Sequence, residues 1–200
     1  MLVKKKWQQR ISKSVSSYRS ARGKCCSKGV TKGFVTDVLS RYLENGDVFV
    51  DIGCAGGELI AHVAENFGVP VLGVEMQPEL ASAAEKMIKG KGKILRGGVE
   101  DLWELILLAM RKFKRPVIWT ANVLFDMEAN EALKSILKSI AKSGKQFVFI
   151  SMTPMINFAK CEPTSEKMTF TEYGLYERHL SWGCRGQKVE YTAIAYERRK

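Results

Sequence analysis

The chain has 200 residues, of which 46% are hydrophobic and 26% are charged. These values are typical of one folded domain and exclude a wholly disordered chain, and no apolar run is long enough to span a bilayer. The net charge of +11 lies almost entirely in residues 1–36, which hold ten lysines and arginines and no acid.

The first 30 residues are predicted to form a basic arm that is partly helical. Trp7, Ile11, Val15 and Tyr18 recur at spacings of four, four and three, which would place them in one apolar stripe of a helix. Two interpretations of the positive charge stay open. Either the arm binds the phosphates of a nucleic acid, or it is a solvated leader that keeps the protein soluble.

Two features indicate the compartment. The N-terminus lacks the apolar core of a secretory signal, which favours an intracellular protein, nuclear and associated with chromatin in a eukaryote and cytoplasmic otherwise. The five cysteines are odd in number and lack C-x-x-C spacing, so neither a disulfide framework nor a metal site is expected. No membrane partner is expected.

One α/β domain is predicted over residues 31–200. A helix is expected over residues 31–43, before the helix stop Asn45-Gly46. Strands and helices then alternate, which is typical of a parallel sheet with helices on both faces. The strands are expected near 48–52, 69–75, 93–96, 116–120 and 145–151, and the helices near 57–67, 78–90, 101–113 and 128–142.

The last quarter of the chain has a different pattern. An irregular stretch from residue 152 to about residue 174 is followed by two strand-like runs, over 176–182 and 188–196. Because these two runs are close in sequence, they are predicted to pair antiparallel.

A glycine-rich turn follows the first predicted strand. In D-I-G-C-A-G-G, the residues Asp51, Gly53, Ala55 and Gly57 occupy alternate positions, whereas a dinucleotide-binding turn has the spacing G-x-G-x-x-G. The spacing resembles the signature of S-adenosylmethionine (SAM) methyltransferases. The alternative is a tight turn that binds no ligand.

Acids after the second and third predicted strands support a SAM site. Glu75 follows Asp51 by 24 residues and would bind the ribose, because one carboxylate accepts two O–H donors. Asp101 or Glu100 would accept from the adenine amino group, or both are acids favoured by the dipole at a helix start. The residues predicted to bind SAM from these features are Asp51, Gly53, Cys54, Ala55, Gly57, Glu75, Glu100 and Asp101.

Two later segments complete the pattern. They read A-N-V-L-F over 121–125 and L-S-W-G-C-R-G-Q-K-V-E-Y over 180–191. Together with the turn they resemble the Dot1-like protein lysine methyltransferases, which have D-x-G-S-G-x-G, V-N-N-F-x-F and V-S-W-T-G-K-P-V-x-Y. The resemblance implies a Rossmann-like, seven-stranded class I SAM-dependent methyltransferase fold, mostly parallel with a C-terminal antiparallel hairpin.

The resemblance also implies roles for five further residues. Thr31 would close over the methionine end of SAM. Asn122 matches the second of the family's paired asparagines, which implies a part in SAM binding and in catalysis. Trp119, Trp182 and Tyr191 would line the channel through which a lysine side chain reaches the methyl group.

The implied function is SAM-dependent methylation of lysine side chains in a basic, nucleic-acid-associated protein such as a histone. Three departures indicate a divergent, minimal member of the family: Ala121 replaces the first asparagine, Ala55 replaces the middle glycine, and K-G-V-T stands for Y-G-E-T. Two alternatives stay open. One is an RNA or small-molecule methyltransferase of the same fold, and the other is a nucleic-acid-binding module without turnover.

Overall fold

In the computed structural model the described residues are 39–121, 125–151, 168–179 and 188–198. Within these residues the chain forms seven strands and four helices longer than one turn. In chain order they are β1 (Val48–Ile52), α1 (Glu58–Asn66), β2 (Val71–Glu75), α2 (Pro78–Ile88), β3 (Gly92–Arg96), α3 (Val99–Met110), β4 (Pro116–Thr120), α4 (Met127–Lys142), β5 (Phe147–Ser151), β6 (Met168–His179) and β7 (Lys188–Arg198).

The strands form one seven-stranded sheet in the order β3-β2-β1-β4-β5-β7-β6. The first five strands of the chain pair parallel. β7 then pairs antiparallel with both β5 and β6. The predicted fold class, a mostly parallel Rossmann-like sheet with a C-terminal antiparallel hairpin, is confirmed.

Helices cover both faces of the parallel part of the sheet. Successive side chains of a strand point to opposite faces, so in β1 Phe49 packs with one apolar layer and Val50 with the other. The first layer includes the buried side chains of α1 and α2, and the second includes those of α3 and α4. Burial on both faces explains why these strands read as nearly continuous apolar runs.

A buried ion pair joins the starts of β1 and β4. The Nη2 atom of Arg115 lies 2.8 Å from the Oδ2 atom of Asp47, and Arg115 also donates to the carbonyl oxygen of Tyr42 at 2.6 Å. Both charged side chains are buried. The segment that leads into β1 is therefore held beside the segment that follows α3.

One prediction for the C-terminal strands was wrong. β6 begins at Met168, although the sequence was expected to be irregular to about residue 174. The pairing of β6 with β7 shifts register between Tyr173 and Tyr176, and a glycine inside a strand, here Gly174, is typical of such a bulge, which interrupts the alternation. Of the predicted helix over 31–43, residues 39–43 are described, and there only Leu39 is helical.

No helix in the described part of the chain is both long and apolar enough to cross a membrane.

Candidate cofactor site

The glycine-rich turn lies at the carboxyl end of β1, beside the end of β2. The backbone N–H groups of Gly53 and Cys54 donate to the carbonyl oxygen of Val74 at 2.8 and 3.0 Å. Since β2 and β4 flank β1 on opposite sides, the turn lies where the order of the strands reverses. In open α/β sheets ligands bind in the crevice at this position.

Close packing fixes the position of the turn. Gly57 has φ +86°, and a Cβ atom there would lie 2.7 Å from the Cα atom of Ala84 in α2. Gly73 of β2 leaves room for the buried thiol of Cys54, because a Cβ atom at Gly73 would lie 2.7 Å from that sulfur. Burial raises the pKa of the Cys54 thiol, so it remains neutral and serves as a packing group.

Both carboxylate oxygens of Glu75 accept from backbone donors, one in the turn and one at the start of α2. Oε2 accepts from the N–H of Ala55 at 2.9 Å, and Oε1 accepts from the N–H of Gln77 at 2.8 Å. Burial raises the pKa of Glu75, and the backbone donors of Gln77, Ala55 and Met76 oppose that rise. The sequence predicted that the turn and the acid at the end of β2 contribute to one site. In the structure a hydrogen bond joins them.

Ala55 has a left-handed backbone conformation, which glycine adopts more readily than any other residue. Its φ is +48°, and the left-handed region costs an L-residue about 1 kcal/mol or more. The hydrogen bond from its N–H to Glu75 holds it there. The backbone at Ala55 therefore has the conformation that glycine adopts most readily.

Asp51 is a buried carboxyl group without a hydrogen-bond partner among the described residues. Its side chain is 3% exposed at the end of β1. Burial, and then the nearby charge of Glu75, raise the pKa of Asp51 to about 8. A buried carboxylate is costly unless it is paired, so this group fits a ligand that brings a positive charge or hydrogen-bond donors.

Replacing Asp51 by asparagine should remove part of the pH dependence of stability. The pKa of this carboxyl is about 8 in the folded chain and ordinarily 3.8, so between these values the folded state retains a proton that the unfolded state has lost. The free energy of unfolding should therefore fall as the pH rises from about 4 to about 8, by up to about 1.4 kcal/mol per pH unit. Urea unfolding at about pH 5 and about pH 9 measures the difference between the two proteins.

Glu65→Gln is the control for Asp51→Asn, because it removes an exposed carboxylate from α1. Glu75, whose pKa is also raised, contributes a slope of the same sign to all three proteins. The account of Asp51 is wrong if Asp51→Asn and Glu65→Gln lose stability with pH as steeply as the unmodified chain.

The start of α1 lies at the same edge of the sheet. Its N-cap residue is Gly57, which has no side chain to accept from the first-turn N–H groups. A helix start attracts an anionic group, because the first-turn N–H groups and the helix dipole point toward it. A carboxylate is one group that would fit there.

The acids predicted after β3 lie at the start of α3. Glu100 is half-buried and Asp101 is exposed. Burial first, and then the charges of Asp101, Asp126 and Glu128, raise the pKa of Glu100. The starts of α3 and α4 therefore bring four carboxylates near one another.

Two residues of the site were not predicted to act there. Thr120, fully buried at the end of β4, donates to the carbonyl oxygen of Ile52 at 3.0 Å and joins the ends of β1 and β4. The ring of Phe125 covers Gly53, with ring atoms 3.5 and 3.6 Å from the position of a Cβ atom there. The sequence signal for Phe125 was its place in the segment over 121–125.

The predicted channel residues are placed only in part. Trp119 lies in β4 opposite Asp51 and belongs to the apolar layer under α1, with its side chain 6% exposed. Tyr191 lies in β7, where its backbone pairs with Tyr176. Its side chain, like Thr31, Asn122 and Trp182, lies outside the described part of the structure. The roles of all five residues stay predictions.

Comparisons with known proteins show the fold. No protein-family model and no curated protein matches the chain. Among solved structures it is similar to a TehB-like SAM-dependent methyltransferase from Corynebacterium glutamicum, with 14% identity and a TM-score of 0.56, over 96% of this chain and 100% of the other. It is also similar to the glycopeptide N-methyltransferase MtfA in complex with SAM, with 12% identity and a TM-score of 0.50, over 86% of this chain and 96% of the other.

A third similar structure is TrmN from Thermus thermophilus, with 11% identity and a TM-score of 0.52, over 84% of this chain and 48% of the other. At these identities the likeness shows the fold alone, which is that of class I SAM-dependent methyltransferases. The Dot1-like resemblance and the acceptor it implies stay predictions.

Proposed function

We propose that the protein is a SAM-dependent methyltransferase whose acceptor is a lysine side chain in a basic protein. The observation that carries the cofactor assignment is the buried carboxyl of Asp51, which has no hydrogen-bond partner among the described residues, beside the anchored carboxylate of Glu75. Both lie at the turn, where this fold has its ligand crevice. The two neighbours described as SAM-dependent or bound to SAM support the same assignment.

The residues at the turn fit the groups of SAM. Ionised Asp51 would pair with the ammonium group at the methionine end of SAM, and the backbone N–H groups at the start of α1 would donate to the carboxylate of SAM. Glu75 would accept from ribose hydroxyls, and Glu100 or Asp101 from the adenine amino group. When bound, SAM supplies a methyl group on a sulfonium, which is already a good leaving group. The chain has mainly to align donor and acceptor and to keep the lysine uncharged.

The charge at the cofactor edge favours a cationic acceptor. In the described part of the chain, all four long helices begin at this edge with an acid in the first turn: Glu58, Glu79, Glu100, Asp101 and Glu128. The last turns of α2 and α4, at the opposite edge, carry Lys86 and Lys142. An acidic edge attracts a basic protein segment and repels the phosphates of RNA. MtfA, by its description, methylates nitrogen on a glycopeptide, so this fold accommodates a nitrogen acceptor in a peptide-like molecule.

Titration calorimetry with SAM, followed by methyl transfer from labelled SAM, tests the proposal. Three acceptor pools are offered separately: histone-like basic proteins, nucleosome-like complexes and total RNA. We expect SAM to bind and label to appear on lysine. Affinity for SAM should rise with pH up to about 8, because a cation binds the ionised form of Asp51.

Each other outcome contradicts a defined part of the proposal. Label on RNA alone would overturn the lysine acceptor and favour the RNA alternative. If SAM binds but no methyl group is transferred to any pool, the alternative of a nucleic-acid-binding module without catalytic activity is favoured. No detectable SAM binding would overturn the cofactor assignment itself.

A further inference from the structure

The outward face of α3 is unusually apolar for an exposed helix. Leu105 is 51% exposed and Leu108 is 59% exposed, and residues three apart are neighbours on a helix surface. The opposite face of α3, with Ile106 and Met110, is buried in the second apolar layer. The two leucines therefore form one apolar spot that the described core does not cover.

Two carboxylates border this spot. Asp101 precedes Leu105 by four residues, and Glu104 precedes Leu108 by four, so each acid lies beside a leucine on the helix surface. Both acids are exposed, and neither makes an ion pair within the described residues. We call Asp101, Glu104, Leu105 and Leu108 the α3 patch.

We infer that the α3 patch binds the basic N-terminal arm of the same chain. The arm has the complementary composition, since an apolar stripe of Trp7, Ile11, Val15 and Tyr18 accompanies ten basic residues and no acid within residues 1–36. Short helices are marginal in water without a surface that buries their apolar face. The patch offers the arm such a surface together with opposite charge.

The described chain begins near the edge of the sheet at which α3 ends, but on the opposite face. Leu39, the first described residue, is 2% exposed and packs in the first apolar layer, with α1 and α2. A few residues later, the carbonyl oxygen of Gly46 accepts from the N–H of Lys114 at 3.1 Å, and Tyr42 accepts from Arg115. α3 ends at Met110, just before these residues. The inference therefore requires the arm to pass round this edge of the sheet to reach α3, which packs on the other face.

The length of chain between the stripe and the domain is sufficient. Residues 19–38 could span about 65 Å when extended, whereas the 12 residues of α3 extend over about 18 Å. A tethered segment also suits a small patch. A stable dimer buries about 800 Å² on each partner, far more than two leucines provide, but a tether supplies an effective concentration in the millimolar range.

Zero-length cross-linking of the full chain tests the inference. A carbodiimide joins a carboxylate to an amine only when the two are in contact, so we expect Lys4, Lys5, Lys6 or Lys13 to be linked to Asp101 or Glu104. A mixture of ¹⁴N and ¹⁵N chains distinguishes links within one chain from links between chains. The measurement needs no SAM, so its result is independent of the proposed function.

Leu108→Asp separates apolar docking from simple charge attraction. The variant adds negative charge, so charge attraction alone would raise the yield of links, whereas loss of the leucine contact should lower it about tenfold. Ile11→Ser, which changes no charge, should lower the yield similarly from the side of the arm. Met87→Asp on α2, where the methionine is 38% exposed, is the matched control and should leave the yield unchanged.

Three results would overturn the inference. The first is an absence of links between the arm and α3, and the second is an unchanged or raised yield in Leu108→Asp or in Ile11→Ser. The third concerns the fraction of cross-links that join a ¹⁴N chain to a ¹⁵N chain. If this fraction equals the value expected from random mixing, the links form between chains, and the α3 patch is a contact between two copies.

Discussion

Replacing Glu75 by glutamine should weaken SAM binding by about 10- to 100-fold. The carboxylate accepts from two backbone donors, the N–H groups of Ala55 and Gln77. A glutamine amide has one oxygen, so its NH₂ group would face one of these N–H donors. The turn would lose a charge-assisted hydrogen bond, and the ribose would lose one of its acceptors. Titration calorimetry of the two proteins with SAM measures the change.

Glu79→Gln is the matched control for Glu75→Gln. Glu79 is an exposed acid in the first turn of α2, only four residues along the chain, and its replacement should change SAM affinity less than twofold. Circular dichroism at the temperature of the titration establishes that all proteins are folded. Equal affinities for Glu75→Gln and Glu79→Gln would remove Glu75 from the cofactor site.

The cofactor side of the molecule could be predicted because its signals are local. The alternation of strands and helices follows from the apolar pattern of each segment, and parallel strands end at the same edge of the sheet. One βαβ unit separates Asp51 from Glu75, so their separation in sequence was enough to place both at the turn. The anchoring of Glu75 by Ala55 also explains why alanine is tolerated in a position that favours glycine.

The features that were not predicted depend on contacts between distant segments. Thr120 reaches Ile52 across 68 residues of sequence, and nothing in its own segment indicates that β4 lies beside β1. The early start of β6 was missed because the register shift near Gly174 breaks the alternation. The raised pKa of Asp51 likewise results from burial by the assembled sheet.

The Arg115–Asp47 pair lies at the opposite edge of the sheet from the cofactor site. Arg115 donates to Asp47 and to Tyr42, and Asp47 also accepts from the N–H of Glu44 at 2.9 Å. Since β1 and β4 pair along their length, this pair fixes the start of the two strands whose ends carry Asp51 and Thr120.

Arg115→Ala should therefore lower the free energy of unfolding by about 3–5 kcal/mol. The change leaves the Asp47 carboxylate, which is 0% exposed, without its cationic partner, and a buried unpaired charge is far more costly than a lost surface contact. Urea unfolding measures the loss. Arg96→Ala is the control, because Arg96 pairs with Glu85 on the surface, where both side chains are substantially exposed, and its replacement should lower the free energy of unfolding far less.

A second variant separates loss of the pair from loss of packing. In Arg115→Met combined with Asp47→Leu, both charges are replaced by apolar groups, so much of the stability lost in Arg115→Ala should return. If Arg115→Ala lowers the free energy of unfolding no more than Arg96→Ala does, the buried pair does not stabilise the junction of β1 and β4. If the double variant is as unstable as Arg115→Ala, the hydrogen bonds to Tyr42 and Glu44, rather than the unpaired charge of Asp47, account for the effect.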